Sequence, residues 1–205
     1  LIFSCSQEKN YNAKLSGNTM GTFYFIEVID VPIKLKIKTI QSEIDDTLMR
    51  VNKILSNWDK NSEISKINKI GINSTIKISE ELNEVFKTAI EINTKSNGFF
   101  DLTLDPIIEL WGFGYDSKQL ETIPTDEQIK KSLSSVGQKK FLKLDFNKNE
   151  LTKKIKNLKI NLSSIGKGYG IDIIGKKLDQ LGIKNYIINI GGDILTKGYN
   201  SKKKD

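Results

Sequence analysis

The sequence of 205 residues contains no histidine and a single cysteine. The lack of histidine excludes Ser-His-Asp triads, imidazole general bases and histidine-type zinc sites from these residues. One cysteine cannot form a disulfide within the chain. No stretch approaches the ~20 consecutive apolar residues of a membrane-spanning helix, so none is predicted within this sequence. Hydrophobic residues still make up 38% of the chain, which is enough to fold around a core.

The chain is basic, with 32 Lys and Arg against 25 Asp and Glu, and a basic balance can indicate nucleic-acid binding. Arg50 is the only arginine, whereas proteins that read bases or clamp phosphates use the forked guanidinium group. The lysines are spread along the chain and mixed with acids, apart from the run 202–204. We therefore expect a solvated, lysine-rich surface and no nucleic-acid partner.

The first residues resemble the end of a bacterial lipoprotein signal. Cys5 follows an apolar run and precedes a polar stretch, and Ile2-Phe3-Ser4-Cys5 is similar to a lipoprotein cleavage box. The alternative interpretation is a frayed terminus with a stray thiol. Lipid on Cys5 would anchor the protein to a membrane without spanning it. We expect residues 1–17 to be a signal remnant and tether, followed by one domain over 18–205.

Helix and strand patterns interleave along the chain. Residues 22–29 are rich in aromatic and β-branched side chains, which is typical of a strand. From Ile37 to Leu55, apolar residues recur at steps of three and four, the spacing of an amphipathic helix. Ser79, followed by two glutamates, predicts the start of a second helix. Alternation predicts half-exposed strands at 141–146 and 158–162. With no strict βαβ period, the predicted fold class is α+β, in one compact unit.

Four clusters of unusual residues could form a functional site. Over 162–172 a strand leads into a helix through small residues, which leaves backbone N–H groups free for an anion such as a pyrophosphate; helix packing alone could also explain these glycines. Residues 97–103 combine a turn glycine, two phenylalanines and an acid, or form a helix end followed by core aromatics. Gly191–Asp193 follows a buried strand. Trp58, in a polar loop, could stack on a flat ring or close the edge of a core.

The order of these clusters resembles the ApbE family of FAD:protein FMN transferases, over about residues 18–200. The resemblance is carried by Thr19-Met20-Gly21-Thr22-Phe23, by Leu55–Ile64, by Gly98–Pro106 with Leu110-Trp111-Gly112-Phe113-Gly114, by Asn161–Tyr169 and by Ile190–Asp193. It implies an ApbE-like flavin transferase fold. It also implies an enzyme that cleaves FAD at its pyrophosphate and uses Mg²⁺ to attach FMN to a threonine of a target protein, with release of AMP.

The resemblance also implies a place and a partner. Members of the family are often periplasmic lipoproteins, which agrees with the interpretation of Cys5. We therefore expect a lipid-anchored protein on the periplasmic side of a bacterial inner membrane. Its expected partner is a flavin-acceptor protein, a subunit of a membrane redox complex such as sodium-pumping NADH:quinone oxidoreductase.

The matched motifs imply the site residues. Ser164 takes a magnesium-ligand position, and no general base is identified. The residues expected to contact FAD are Met20, Trp58, Phe99, Phe100, Asp101, Asn161 and Lys167.

The sequence departs from the family pattern in two ways. The family usually has aspartate where this chain has Asn161, so a charge is missing. The family also continues beyond the Gly-Gly-Asp strand with a portion that carries a histidine and an Asp/Thr metal-binding group, and these do not occur up to Asp205. The fold is therefore expected to be incomplete at its C-terminus. Two other hypotheses stay open: a non-catalytic FAD-binding lipoprotein and an inactive truncated remnant.

Overall fold

The structure, a computed structural model, describes residues 10–113 and 122–202. These residues form two compact units. The first unit comprises the described residues up to Asn52 and from Lys167 onward, and the second comprises those of Lys53–Gly166. Each unit combines helices with antiparallel strands, which confirms the α+β class. The prediction of one compact unit is wrong, because Lys53–Gly166 buries a core of its own.

Helices and strands alternate irregularly along the described residues. In chain order they are β1 (Tyr11–Thr19), β2 (Thr22–Val31), α1 (Ile37–Leu55), α2 (Glu63–Lys69), β3 (Thr75–Lys77), α3 (Glu80–Lys95), α4 (Asp105–Leu110), α5 (Asp126–Leu133), α6 (Gln138–Phe141), β4 (Leu142–Asp145), β5 (Glu150–Lys153), α7 (Ser163–Gln180), β6 (Asn185–Ile190) and β7 (Asp193–Lys197).

The first unit contains an antiparallel sheet of strand order β1-β2-β6-β7. Strand β2 confirms the strand predicted at 22–29, and its alternate residues Tyr24, Ile26 and Val28 are buried. Helix α1 has the bounds that its periodicity predicts, and it adds Ile40 and Ile44 to the same core. Residues of α7 complete that core. The unit is therefore a sheet covered on one face by amphipathic helices.

A glycine makes room for a fully buried ring of this sheet. Gly17 of β1 lies opposite Tyr24 of β2, and a Cβ atom at Gly17 would lie 2.7 Å from Cε1 and 2.9 Å from Cζ of that ring. The ring has little freedom to move, since its hydroxyl donates to Oδ1 of Asp45 at 2.6 Å and the side chain is 1% exposed. Burial raises the pKa of this hydroxyl well above its ordinary value, and Asp45 adds to the effect.

The predicted tether is wrong from residue 11 onward. Strand β1 begins at Tyr11, and its side chains Ala13 and Leu15 face the core of the first unit. The error has a physical cause: this strand is short of β-branched residues, and its pairing with β2 rather than its own composition makes it a strand. Cys5 lies outside the described residues, so its lipidation stays a prediction. Within the described ranges, none of the helices combines the length and hydropathy of a membrane span.

The second unit packs helices with an antiparallel sheet of strand order β3-β5-β4. Helix α3 confirms the helix predicted after Ser79, whose side chain accepts a hydrogen bond from the N–H of Leu82 at 3.2 Å. Strand β4 confirms the prediction at 141–146. The strand predicted at 158–162 is wrong. Alternate residues of this segment are buried, as the pattern indicates, but two asparagine side chains take the place of a neighbouring strand there.

Candidate functional site

A cleft of about 610 Å³ opens on the second unit. Two residues that the sequence predicts for FAD binding, Trp58 and Asn161, line it together. Asp105, Glu109 and Lys159 also contribute to its walls. A cleft of this size, with two aromatic side chains (Trp58 and Phe113) and several polar groups, is typical of a small-molecule site.

A network of serine hydrogen bonds positions Trp58. The hydroxyl of Ser56 accepts hydrogen bonds from the N–H groups of Trp58 at 3.2 Å and Asp59 at 3.1 Å. The carbonyl of Ser56 in turn accepts the hydroxyl of Ser62 at 2.6 Å, and Ser62 caps α2 through the N–H of Ser65. These hydrogen bonds link the residues of the loop between α1 and α2 to one another. Trp58 is 58% exposed, and it lines the cleft. An exposed indole on a loop whose backbone is held in this way can stack on a flat ring.

Two asparagines, which we call the asparagine clamp (Asn57 and Asn68), position the part of the wall that carries Asn161. Asn57 donates to the carbonyl of Ile160 at 2.7 Å and accepts from the N–H of Leu162 at 2.8 Å. Asn68 donates to the same carbonyl at 2.9 Å and accepts from the N–H of Ile160 at 2.8 Å. The clamp satisfies buried backbone groups on both sides of Asn161. It therefore sets where Asn161 stands in the cleft.

Asn161 forms a hydrogen-bonded pair with a carboxylate. Its Nδ2 donates to Oδ1 of Asp105 at 2.7 Å, and its Oδ1 accepts from the N–H of Ser163 at 2.9 Å. Burial raises the pKa of the Asp105 carboxyl above its ordinary value, with Glu109 adding to the effect and the Asn161 amide and Lys159 opposing it. Lys159 itself forms an ion pair with Glu109 at 2.5 Å.

A buried lysine forms a hydrogen bond with the backbone of one clamp residue. Lys153 of β5 is fully buried, and its Nζ donates to the backbone carbonyl of Asn68 at 2.9 Å. Burial lowers the pKa of this ammonium group, because the charged form loses its hydration. No local pattern distinguishes this residue from the many other lysines of the chain.

The predicted segment Phe99–Asp101 is not among the described residues that line this cleft. Phe99 is 92% exposed, so the interpretation of it as a core aromatic is wrong. Asp101 is engaged within the protein: Oδ1 accepts from the N–H and hydroxyl of Thr103 at 2.7 and 2.5 Å, and Oδ2 accepts from the N–H of Gln138 at 2.9 Å. These bonds hold the turn that follows α3. The contact of Phe99, Phe100 and Asp101 with FAD stays a prediction.

The first unit brings together Met20, Lys167 and the Gly191–Asp193 turn. Met20 sits in a two-residue hairpin turn with positive φ. A Cβ atom on Gly170 of α7 would lie only 2.8 Å from Cε of Met20. Lys167, also on α7, pairs with Asp193 at 3.4 Å and donates to the carbonyl of Gly191 at 3.4 Å. Gly170 is thus a packing glycine, whereas a Cβ atom on Gly168 would meet open space.

The sequence model of the ApbE family matches residues 20–205. The chain belongs to the ApbE family. The FAD:protein FMN transferase of Vibrio cholerae serotype O1 is 38% identical over 200 residues, which cover 98% of this chain and 59% of that protein. The FAD:protein FMN transferase of Haemophilus influenzae is 37% identical over 208 residues, 100% of this chain and 60% of that protein.

A solved structure agrees with this membership. The flavin transferase ApbE from Vibrio cholerae matches with a TM-score of 0.89 and 36% sequence identity, covering 95% of this chain and 62% of that one. The ApbE-like fold implied by the sequence motifs is confirmed over this part. The chain spans about three fifths of the length of these relatives.

The described residues of this ApbE-family chain do not form a complete magnesium site. Ser164 lies in the first turn of α7 with an exposed side chain. Mg²⁺ requires six oxygen ligands in near-octahedral geometry, usually with one or more carboxylates. Over residues 10–113 and 122–202, no three or more His, Cys, Asp or Glu side chains are grouped to hold a metal. One hydroxyl does not make a site, so the metal role of Ser164 stays a prediction.

Sequence reasoning missed three residues that shape the cleft: Asn57, Asn68 and Asp105. Two of them stand inside the motifs that carry the resemblance, Asn57 beside Trp58 and Asp105 before Pro106. Their partners, however, lie from 56 to 105 residues away along the chain. A local pattern contains no information on such pairs, so the residues could have been noticed only as polar neighbours of the motif positions.

Proposed function

We propose that this chain binds FAD and acts in the transfer of FMN from FAD to a protein. The observation that carries the proposal is the cleft of the second unit, where an exposed tryptophan stands with the Asn161–Asp105 pair. An indole face suits a flavin or adenine ring, and the polar pair suits the hydroxyl and amide groups of a dinucleotide. The names of the relatives, FAD:protein FMN transferase, support the same activity.

In the proposed reaction, the hydroxyl oxygen of an acceptor threonine attacks the phosphorus of the FMN half of FAD. A new P–O bond joins FMN to the threonine, the bond from that phosphorus to the bridging oxygen breaks, and AMP leaves with the electron pair. The threonine proton is lost to solvent or to a base that the sequence does not identify. Phosphoryl transfer of this kind depends mainly on positioning and on neutralising charge. Here Trp58 and Asn161 of the second unit would hold the dinucleotide.

Mg²⁺, the threonine acceptor and the location belong to the same proposal. The ion would neutralise charge on the diphosphate when bound. No step is assigned to it, because Ser164 is the only described residue that is expected to be a magnesium ligand. The proposed partner is a subunit of a membrane redox complex. The proposed location is the periplasmic side of a bacterial inner membrane, with lipid on Cys5 as the anchor. A second candidate is a non-catalytic FAD-binding lipoprotein. The same cleft favours it, because binding FAD requires the cleft but no general base. An inactive truncated remnant is the third candidate.

A transfer assay separates the three. The chain is incubated with FAD, Mg²⁺ and a threonine-containing acceptor fragment from a membrane redox subunit, and the acceptor is then examined for covalent flavin fluorescence after denaturing electrophoresis. Fluorescent acceptor, absent when threonine is replaced by alanine, supports the transferase. FAD binding without labelled acceptor supports the binding protein. Absence of both overturns the proposal and leaves the remnant.

A further inference from the structure

The hydrogen bonds of Asn161 use about half of its capacity to bind a ligand. Its Oδ1 already accepts from the N–H of Ser163, and one of its two amide hydrogens is given to Asp105. An amide has two N–H donors and one oxygen with two lone pairs. What Asn161 retains for a bound molecule is therefore one N–H and one lone pair of Oδ1.

Asp105 offers more acceptor positions to a ligand than Asn161 does. An ionised carboxylate has about four acceptor positions on its two oxygens, and within the described residues the amide of Asn161 is the group that donates to it. Asp105 lines the cleft and is half-buried. The Asn161 amide fixes one carboxylate oxygen and leaves the other, Oδ2, as an acceptor at the wall of the cleft.

The charges around Asp105 indicate which part of a dinucleotide could bind there. Glu109 is a second acidic group of the same wall, and Lys159 is paired with Glu109 rather than with Asp105. Because Lys159 offsets the charge of Glu109, the carboxylate of Asp105 is the negative charge left at this wall, and it repels a phosphate and attracts hydrogen-bond donors. FAD carries such donors as sugar hydroxyls, on the ribose of its AMP half and on the ribityl chain of its FMN half.

We infer that Asp105 is a further ligand-binding residue of the cleft, whose carboxylate accepts a hydrogen bond from a sugar hydroxyl of FAD. The inference rests on the proposed function in that FAD is the ligand of the cleft. It assigns Asp105 and Asn161 complementary roles: the carboxylate accepts from the sugar, and the amide holds the carboxylate and offers its second N–H. The pair then works as one unit, with a single negative charge on the carboxylate of Asp105.

The test compares FAD dissociation constants of the wild-type chain with those of Asp105→Asn, the swapped double variant Asp105→Asn/Asn161→Asp, and the control Asp126→Asn. Asp126 is an exposed acid in the first turn of α5, so the control removes the same charge away from the cleft. A charged acceptor contributes more than a neutral one, and we expect Asp105→Asn to weaken FAD binding about five- to tenfold. The double variant restores the charge to the pair and should recover most of this loss. Thermal unfolding of each variant reports its folded fraction.

Competition identifies the source of the hydroxyl. If Asp105 contacts the ribose, Asp105→Asn weakens ADP binding and leaves FMN binding unchanged; if it contacts the ribityl chain, the opposite result is expected. Equal FAD affinity in the wild type and Asp105→Asn overturns the inference and leaves the proposed function standing. A loss in Asp105→Asn that the swap does not restore, in folded protein, also overturns it, because the pair then does not act as a unit. A wild-type chain that binds no FAD overturns both.

Discussion

Removing one half of the asparagine clamp should loosen the wall of the cleft that carries Asn161. In Asn57→Ala the carbonyl of Ile160 loses one of its two side-chain donors and keeps the one from Asn68. The N–H of Leu162, in a residue that is 1% exposed, loses its acceptor. A lost hydrogen bond costs ~1 kcal/mol and a buried group left without a partner ~1–3 kcal/mol, so the free energy of unfolding should fall by about 2–4 kcal/mol.

Urea denaturation measures this loss as a lower midpoint at unchanged slope. The local effect is read separately from hydrogen exchange, where the amide of Leu162 should lose protection. Asn61→Ala is the matched control, because Asn61 is an exposed asparagine of the same loop whose described hydrogen bond to Asp59 uses its backbone N–H. It should change stability by less than ~0.5 kcal/mol. Wild-type protection of the Leu162 amide in Asn57→Ala would refute the role of the clamp.

Three further predictions concern the ring, the sheet and the buried lysine. Trp58→Ala should weaken FAD binding about tenfold, because stacking contributes ~1–3 kcal/mol. Trp111→Ala should not weaken it, because Trp111 is not among the residues that line the cleft. Equal losses of affinity for the two variants in flavin-fluorescence titrations, at equal folded fraction, would make Trp58 merely structural. Gly17→Ala should lower the free energy of unfolding, measured in urea, by about 1–3 kcal/mol, because its Cβ atom meets the fixed ring of Tyr24. Gly168→Ala, at a helix position with open space around it, should raise this free energy by up to ~1 kcal/mol. An unchanged urea midpoint for Gly17→Ala would contradict the packing argument. The free energy of unfolding of the wild type should rise with pH from the lowered pKa of Lys153 up to its ordinary 10.5, because over this range the unfolded chain binds a proton that the native chain does not. Lys153→Met should lack that rise. If the free energies of unfolding of the wild type and Lys153→Met, measured in urea, change in parallel with pH, the buried ammonium group is not the cause.

The fold was predictable from sequence where an element contains its own signal. Helix α1 has its apolar residues at helical spacing, and α3 and α5 begin at side-chain caps that can be read directly. The strand β1 and the segment 158–162 have no such signal. The former is a strand because β2 lies beside it, and the latter is not one because side chains rather than a strand pair with it.

The site shows the same division. Motif order alone indicated the family and placed Trp58 and Asn161 in one predicted site, and the structure puts both on one cleft. The segment Phe99–Asp101 was chosen by the same reasoning, yet the carboxylate of Asp101 is engaged in holding its own turn. A motif identifies which residues matter together, but it does not state whether each one contacts a ligand or supports the backbone.

The sequence by itself determined the helices with internal periodicity and caps, the α+β class and the membership of the ApbE family, because these depend on residues that are neighbours or on their order along the chain. Only the tertiary structure decided the division into two units, the asparagine clamp and the pairing of Asp105 with Asn161. All three depend on residues from distant parts of the chain: the two units on which residues pack into which core, and the clamp and the pair on groups that meet at hydrogen-bond distance. Such contacts follow from the packing of a whole unit rather than from any local pattern.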